Sequence, residues 1–117
     1  GLKKQVIQNQ ANTSLEGTVV KDNDTYTIVD NTELEQLTVS TTTLKPSQST
    51  TGHKHDDIEE VYTFLSGQGR MYIGEEEFYV EQGKTLIIPD GVFHQVHNTS
   101  DDEDLLFICV FNQRRNH

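Results

Sequence analysis

Three histidines and one glutamate in the middle of the chain have the residue types and the spacing of a metal site. His53 and His55 stand two positions apart, Glu60 follows five residues later, and His94 lies further along the chain. Residues two apart on a β-strand point to the same face, so the first two imidazoles can approach one ion. Neutral imidazole suits Mn, Fe, Ni, Cu and Zn, and a carboxylate adds charge that holds a divalent ion. We therefore predict one divalent transition metal bound by His53, His55, Glu60 and His94.

A lone histidine is more often an ordinary polar residue than a ligand, so this prediction depends on clustering. Four of the chain's five histidines fall between residues 52 and 98. Three of them stand next to turn residues at positions where a strand would bring their rings to one face. Metal ligands cluster in this way, and the clustering favours the metal site.

Strand parity predicts which neighbours share a face with these ligands. Tyr62 and Phe64 alternate with Glu60, and Val96 alternates with His94. We predict that they line a substrate pocket, with Tyr62 as a candidate proton donor or, slightly favoured, as core packing. His97 has the opposite parity and is predicted to lie outside the ligand set. Arg70 and Tyr72 follow a glycine-rich turn that leaves their facing undecided, and they are further candidates for the pocket.

The segments that must position these residues have the features of short β-strands. They are rich in β-branched and aromatic residues, and glycine, proline, asparagine or aspartate separates them. The predicted strands cover residues 18–21, 25–30, 34–44, 61–65, 70–73, 77–80, 85–88, 93–97 and 105–111. No window carries a helical stripe. This pattern predicts an all-β barrel or sandwich in one domain over residues 1–117, with an N-terminal arm at 1–17 and a tail at 113–117.

Composition limits the classes of partner. The chain has 19 acidic and 9 basic residues and a net charge of -10, which repels phosphate backbones and anionic lipid. We therefore expect no nucleic-acid or membrane partner. No apolar run is long enough to span a bilayer, and the first residues lead into polar sequence without a secretory segment, so a cytoplasmic location is expected. Cys109, in an apolar run, is predicted to be a small buried hydrophobe.

The two histidine-containing blocks resemble the paired motifs of the cupin superfamily. The first motif covers residues 47–67 and the second covers residues 83–98. The matching positions are His53, His55, Glu60 and Gly67 in the first, and Gly83, Pro89, Gly91, His94 and Asn98 in the second. Ser47 stands where the family usually has a glycine. The resemblance implies a small jelly-roll barrel (a double-stranded β-helix) with the metal held by the four residues named above, while the other matching residues shape turns.

Three functions remain open at this stage. The block layout is similar to that of small mannose-6-phosphate isomerase-like cupins, which implies a metal-dependent isomerase or epimerase of a small polar substrate. The scarcity of cations weighs against a phosphorylated sugar, since only Arg70 is a plausible partner. An iron- or copper-dependent dioxygenase is the first alternative, with substrate and O₂ in the two open metal positions. A non-enzymatic module that binds a metal or small ligand is the second.

The apolar strands also predict a homodimer. Residues 61–65 and 105–111 are apolar on both faces, so one face fills the barrel and the other needs a second layer. Residues 1–44 are too polar to supply all of that layer. A two-fold contact with a second copy, apolar at its centre, is the commonest closed arrangement.

Overall fold

The computed structural model describes residues 16–52, 54 and 57–112, and these residues form nine β-strands and no helix. The strands are β1 (Thr18–Asp22), β2 (Tyr26–Asn31), β3 (Thr38–Leu44), β4 (Glu60–Ser66), β5 (Gln68–Ile73), β6 (Glu76–Glu81), β7 (Thr85–Ile88), β8 (His94–Asn98) and β9 (Leu105–Phe111). The predicted all-β architecture is confirmed. His53, His55, most of the predicted arm and the whole predicted tail lie outside the described residues.

The strands form two antiparallel sheets. Six strands follow the order β1-β2-β3-β9-β4-β7, and three follow the order β6-β5-β8. Because β9 pairs with both β3 and β4, the last strand joins the N-terminal hairpin to the strand that begins at Glu60. Within the part of the chain that the structure describes, there is no helix of the length and apolarity needed to cross a bilayer.

The core lies between the inner faces of the two sheets. Burial alternates strictly along β3 and β9, so every second side chain points inward. Phe64, Leu44, Met71 and Leu105 have no exposed surface. Burial of each such side chain contributes about 1.5–3 kcal/mol. The inward positions are therefore the main apolar contribution to the stability of the two-sheet arrangement.

A bulge and a glycine end β4. The register with β9 shifts between Phe64 and Ser66, directly before Gly67. Gly67 has φ +90°, and a Cβ there would overlap the backbone carbonyl oxygen of Asp104. Both the positive φ and the close backbone approach require glycine. This is the physical reason for a glycine at this position of the first motif.

Ser47 adopts the backbone conformation that glycine prefers, with φ +64°. Its amide donates to the carbonyl oxygen of Ser100 at 2.9 Å, which holds the turn at the start of the first motif. A serine in the left-handed region carries a conformational cost that glycine does not. Ser47 therefore occupies a backbone conformation that a glycine would adopt at lower cost.

The third strand begins later than predicted. The sequence pattern predicts a strand from residue 34, whereas β3 begins at Thr38 and residues 34–36 form a bend. The side-chain oxygen of Asn31 accepts a hydrogen bond from the amide of Glu33 at 2.9 Å, which turns the chain after β2. Alternation in the sequence did not reveal this local competition between a side chain and the strand ladder.

Candidate metal centre

Two of the four predicted ligands are among the described residues, and the fold brings them together. Glu60 is the first residue of β4 and His94 is the first residue of β8, so each stands at the start of a strand in a different sheet. The carboxylate oxygen Oε2 of Glu60 lies 3.2 Å from the imidazole nitrogen Nε2 of His94. Both residues are buried: Glu60 is 7% exposed and His94 is 3% exposed. A glutamate and a histidine far apart in sequence thus form one buried polar pair.

The other ring nitrogen of His94 determines what this pair can bind. Nδ1 lies 3.1 Å from the backbone carbonyl oxygen of Val92. A carbonyl can only accept, so Nδ1 carries the proton and a neutral His94 presents the lone pair of Nε2 to Glu60. Two facing acceptors require a cation between or beside them, either a second proton on the ring or a metal ion. The donor set, one carboxylate oxygen and one imidazole nitrogen oriented by a carbonyl, fits a divalent transition metal.

The pair also shifts the protonation of His94. Burial lowers its pKa, but the hydrogen bond and the charge of Glu60, with the Val92 carbonyl, outweigh burial and raise the pKa above the usual 6.5. Because the folded-state pKa is raised, the metal-free ion pair stabilises the fold fully below pH 6.5, and this contribution is lost as pH rises through the raised pKa. A metal must displace this proton, so the apparent metal affinity falls as pH drops through the same range.

The structure shows a contact to Glu60 that sequence reasoning did not identify. The thiol sulfur of Cys109 lies 3.0 Å from Oε1 of Glu60, and both residues are buried. The burial of Cys109 agrees with its prediction as a small buried hydrophobe. That prediction did not include a hydrogen-bond partner for the thiol. Strand parity indicates that Cys109 faces inward. The pairing of β4 with β9, which places it near Glu60, involves residues 49 positions apart and cannot be read from local sequence.

The predicted pocket residues Tyr62, Phe64 and Val96 lie on the interior faces of the sheets. The ring of Tyr62 lies edge-on to the His94 ring, with centroids 5.8 Å apart, and stacks on Phe107 at 5.4 Å. Phe64 and Val96 are almost fully buried in the core. Tyr62 is therefore the residue of these three whose ring lies beside a candidate ligand. Among the described residues, the side of the pair next to Tyr62 is aromatic.

Arg70 and Tyr72 do not lie in the interior. They flank Met71, which is fully buried on the inner face of β5, and alternation therefore points both outward. The Arg70 side chain is 58% exposed, and its guanidinium lies 3.3 Å from the carboxylate of Glu77. These two pocket assignments are corrected: strand parity relative to Met71 removes both residues from the interior.

His97 lies on the outer face of β8, as its parity predicts. Its Nδ1 is 2.6 Å from the hydroxyl of Ser49, and its ring meets that of Tyr72 edge-on at 5.4 Å. On the same strand the inward residues are His94, Val96 and Asn98. The histidine three positions after His94 is thus separated from the interior by the sheet itself.

The ligand set is incomplete within the described residues. Among residues 16–52, 54 and 57–112, no group of three or more His, Cys, Asp or Glu side chains is arranged to hold a metal ion. The predicted ligands His53 and His55 are outside those ranges, so their contribution remains a prediction. Glu60 and His94 therefore supply the described part of the candidate centre.

Comparison with known proteins identifies the family. The chain is similar to auxin-binding protein T85 of Nicotiana tabacum, with 30% identity over 90 residues that cover 68% of this chain and 48% of that protein. It is also similar to an oxalate decarboxylase of Arthroderma benhamiae, with 32% identity over 77 residues, 62% of this chain and 18% of that protein. The match thus spans about half, or less, of the length of these relatives.

A solved structure and a family match complete the comparison. The structure of KdgF from Halomonas sp. superposes with a TM-score of 0.75 at 15% identity and covers 85% of this chain and 88% of that one. This likeness shows the shared fold. Residues 40–111 match the cupin domain, a range that runs from β3 to the end of β9 and includes Glu60 and His94. The chain therefore belongs to the cupin superfamily, and its two sheets form the double-stranded β-helix of that fold.

Proposed function

We propose that this chain is a metal-dependent enzyme that acts on a small molecule at a divalent transition metal bound by His53, His55, Glu60 and His94. The observation that supports the metal most strongly is the buried pair of Oε2 of Glu60 and Nε2 of His94, 3.2 Å apart, in which a divalent ion can take the place of the proton on Nε2. A divalent ion bound there would supply a Lewis acid for small oxygen-containing ligands. Zn, Mn, Fe, Ni and Cu are all compatible with these donors.

The residues around the pair have separable roles in this proposal. The Val92 carbonyl holds the His94 ring in the tautomer that presents Nε2 to the interior. Tyr62 forms an aromatic wall beside His94, and Phe107 stacks behind Tyr62. The aromatic wall excludes water from the Tyr62 side and strengthens the electrostatic interactions of the carboxylate.

The lining favours oxygen-dependent oxidation of a small organic substrate over isomerisation of a phosphorylated sugar. Among the described residues, none of the buried side chains is a lysine or an arginine. Arg70, the cation considered for a phosphate, points away from the interior and pairs with Glu77. A buried phosphate dianion without a cationic partner is strongly unfavourable. An apolar wall beside open metal positions, in contrast, suits substrate and O₂ together.

Isomerisation or epimerisation of an uncharged sugar is the second candidate. The observation that favours it is Tyr62, whose phenol-bearing ring lies beside His94 and is a group able to donate or accept a proton. A third possibility is ligand binding without turnover. One similar protein is named for auxin binding and another for oxalate decarboxylation. The names of similar proteins therefore include both a ligand-binding protein and an enzyme.

Metal titration followed by oxygen measurement tests the proposal. Protein stripped with a chelator is titrated separately with Mn(II), Fe(II), Ni(II), Cu(II) and Zn(II), and we expect one ion per chain. The Fe(II) and Cu(II) forms are then supplied with small hydroxylated aromatic compounds, oxalate and neutral sugars while dissolved O₂ is recorded. We expect O₂ consumption coupled to product formation with at least one substrate class.

The outcomes separate the candidates. Sugar interconversion without oxygen, abolished by a chelator, contradicts oxidation and supports the isomerase. Saturable ligand binding with no product in either atmosphere supports the non-enzymatic module. Failure of every ion to bind stoichiometrically would refute the metal site itself. The chelated protein serves as the control throughout.

A further inference from the structure

The inference concerns Cys109, which contacts the carboxylate of a proposed metal ligand. Cys109 lies on β9 opposite Tyr62 of β4, and Glu60 is the next inward residue of β4 in the direction of its start. Inward residues on neighbouring strands that are offset by two positions are diagonal neighbours within reach of one another. The sulfur therefore reaches Oε1 of Glu60 at 3.0 Å inside the core, where Cys109 is 5% exposed.

The chemistry of the two groups fixes the direction of this hydrogen bond. An ionised carboxylate only accepts, so the thiol donates its proton to Oε1. A thiolate at the same place would put two negative groups 3.0 Å apart in an apolar interior, which is strongly unfavourable. Cysteine binds metals as the thiolate. The observed contact is thus that of a donor to a ligand residue and not that of a ligand.

We propose that Cys109 is a positioning residue for Glu60, an inference that rests on the proposed metal function. By donating to Oε1, the thiol holds the carboxylate in the rotation that directs Oε2 toward Nε2 of His94, 3.2 Å away. Glu60 then offers a metal one oxygen. Alanine at position 109 would remove the donor, and the carboxylate would have to change its rotation or lose the hydrogen bond. Partners of this kind orient metal ligands and affect metal affinity.

The test compares three variants in Zn(II) competition titrations, since Zn(II) has no redox chemistry of its own. We expect Cys109→Ala to lower Zn(II) affinity about 10-fold or more and Cys109→Ser, which keeps a donor, to restore most of it. Val80→Ala is the matched control. Val80 is fully buried and lies opposite Gly69 of β5. His94 lies opposite Ile73 of the same strand, four residues further along, so Val80 is a core residue away from the candidate ligand. It should lower thermal stability and leave Zn(II) affinity unchanged.

Several results would overturn the positioning role. Cys109→Ala with wild-type affinity would do so, as would equal losses of affinity in Cys109→Ala and Val80→Ala, because both point to ordinary packing. A sulfur-to-metal charge-transfer band in the Co(II)-substituted wild-type protein would identify a thiolate ligand instead. A wild-type protein that binds no metal refutes the proposed function, and the positioning role with it. Wild-type binding with an unaffected Cys109→Ala variant refutes the positioning role alone.

Discussion

Glu60→Gln is expected to lower Zn(II) affinity at least about 100-fold while the metal-free protein stays folded. The estimate follows because the loss of a mere partner of a ligand already costs about 10–100-fold, and here the ligand itself is changed. Glutamine keeps the shape of the side chain but is a much weaker metal ligand than a carboxylate. In the metal-free state its amide nitrogen can donate to Nε2 of His94, which replaces the charged pair 3.2 Å apart by a neutral hydrogen bond.

Metal affinity and metal-free stability should thus respond differently to this substitution. Both are measurable, the first by competition titration and the second by thermal unfolding after chelation. Glu59→Gln is the matched control, since Glu59 is exposed and directly precedes Glu60. This substitution removes the same charge as Glu60→Gln. It should leave Zn(II) affinity unchanged. Stoichiometric Zn(II) binding by Glu60→Gln with wild-type affinity would remove Glu60 from the ligand set, and the same titration of His94→Gln examines the second ligand.

Asn98→Asp is expected to lower the free energy of unfolding by about 3–5 kcal/mol. Asn98 is buried, and its side-chain nitrogen donates to the carbonyl oxygens of Leu44, Lys45 and Glu103 at 3.0, 3.1 and 2.8 Å. Its side-chain oxygen accepts from the amide of Ser100 at 2.9 Å. An aspartate would place a charged acceptor against three carbonyl oxygens, with no proton to donate to any of them. Burial of that charge adds a desolvation penalty.

Asn23→Asp provides the same chemical change with the opposite expectation. The oxygen of Asn23 accepts from the amides of Thr25 and Tyr26 at 2.8 and 3.0 Å, at an exposed turn. A carboxylate can accept both bonds, so the change in the free energy of unfolding should be within about 0.5 kcal/mol. Urea unfolding of both variants gives the comparison. Equal stability of Asn98→Asp and wild type would show that the amide nitrogen of Asn98 is not needed to hold the loops together.

Glu60 and Asn98, both residues of the two motifs, differ in how much the sequence reveals about their roles. Glu60 is predicted to be a ligand from its residue type and its spacing to two histidines, because a strand has a period of two and only a few side chains bind metals. Asn98 was identified only as a residue that shapes a turn. Its bonds to three carbonyl groups, 53, 54 and 5 residues away in sequence, exist only when β3, β8 and the loop before β9 meet.

Local sequence determined the strands, their inward faces and the candidate ligands. Alternation of apolar residues depends on the two-residue period of a strand, and turns depend on the conformational preferences of glycine, proline and asparagine. Strands and turns can therefore be predicted from each short segment separately. The exceptions are also local in cause. The late start of β3 follows from the hydrogen bond between Asn31 and Glu33, which competes with the ladder and leaves no trace in hydrophobic periodicity.

Tertiary structure alone decided which residues meet. The facing of Arg70 depended on the length of the turn after β4, and a shift of one residue would have put it inside instead of Met71. The contact between Cys109 and Glu60 depended on the antiparallel register of β9 with β4. Strand register is set by long-range packing together with turn geometry, and it cannot be predicted from a short segment of the sequence. For this reason the sequence predicts a metal site, and only the fold brings the Cys109 thiol to one of the predicted ligands.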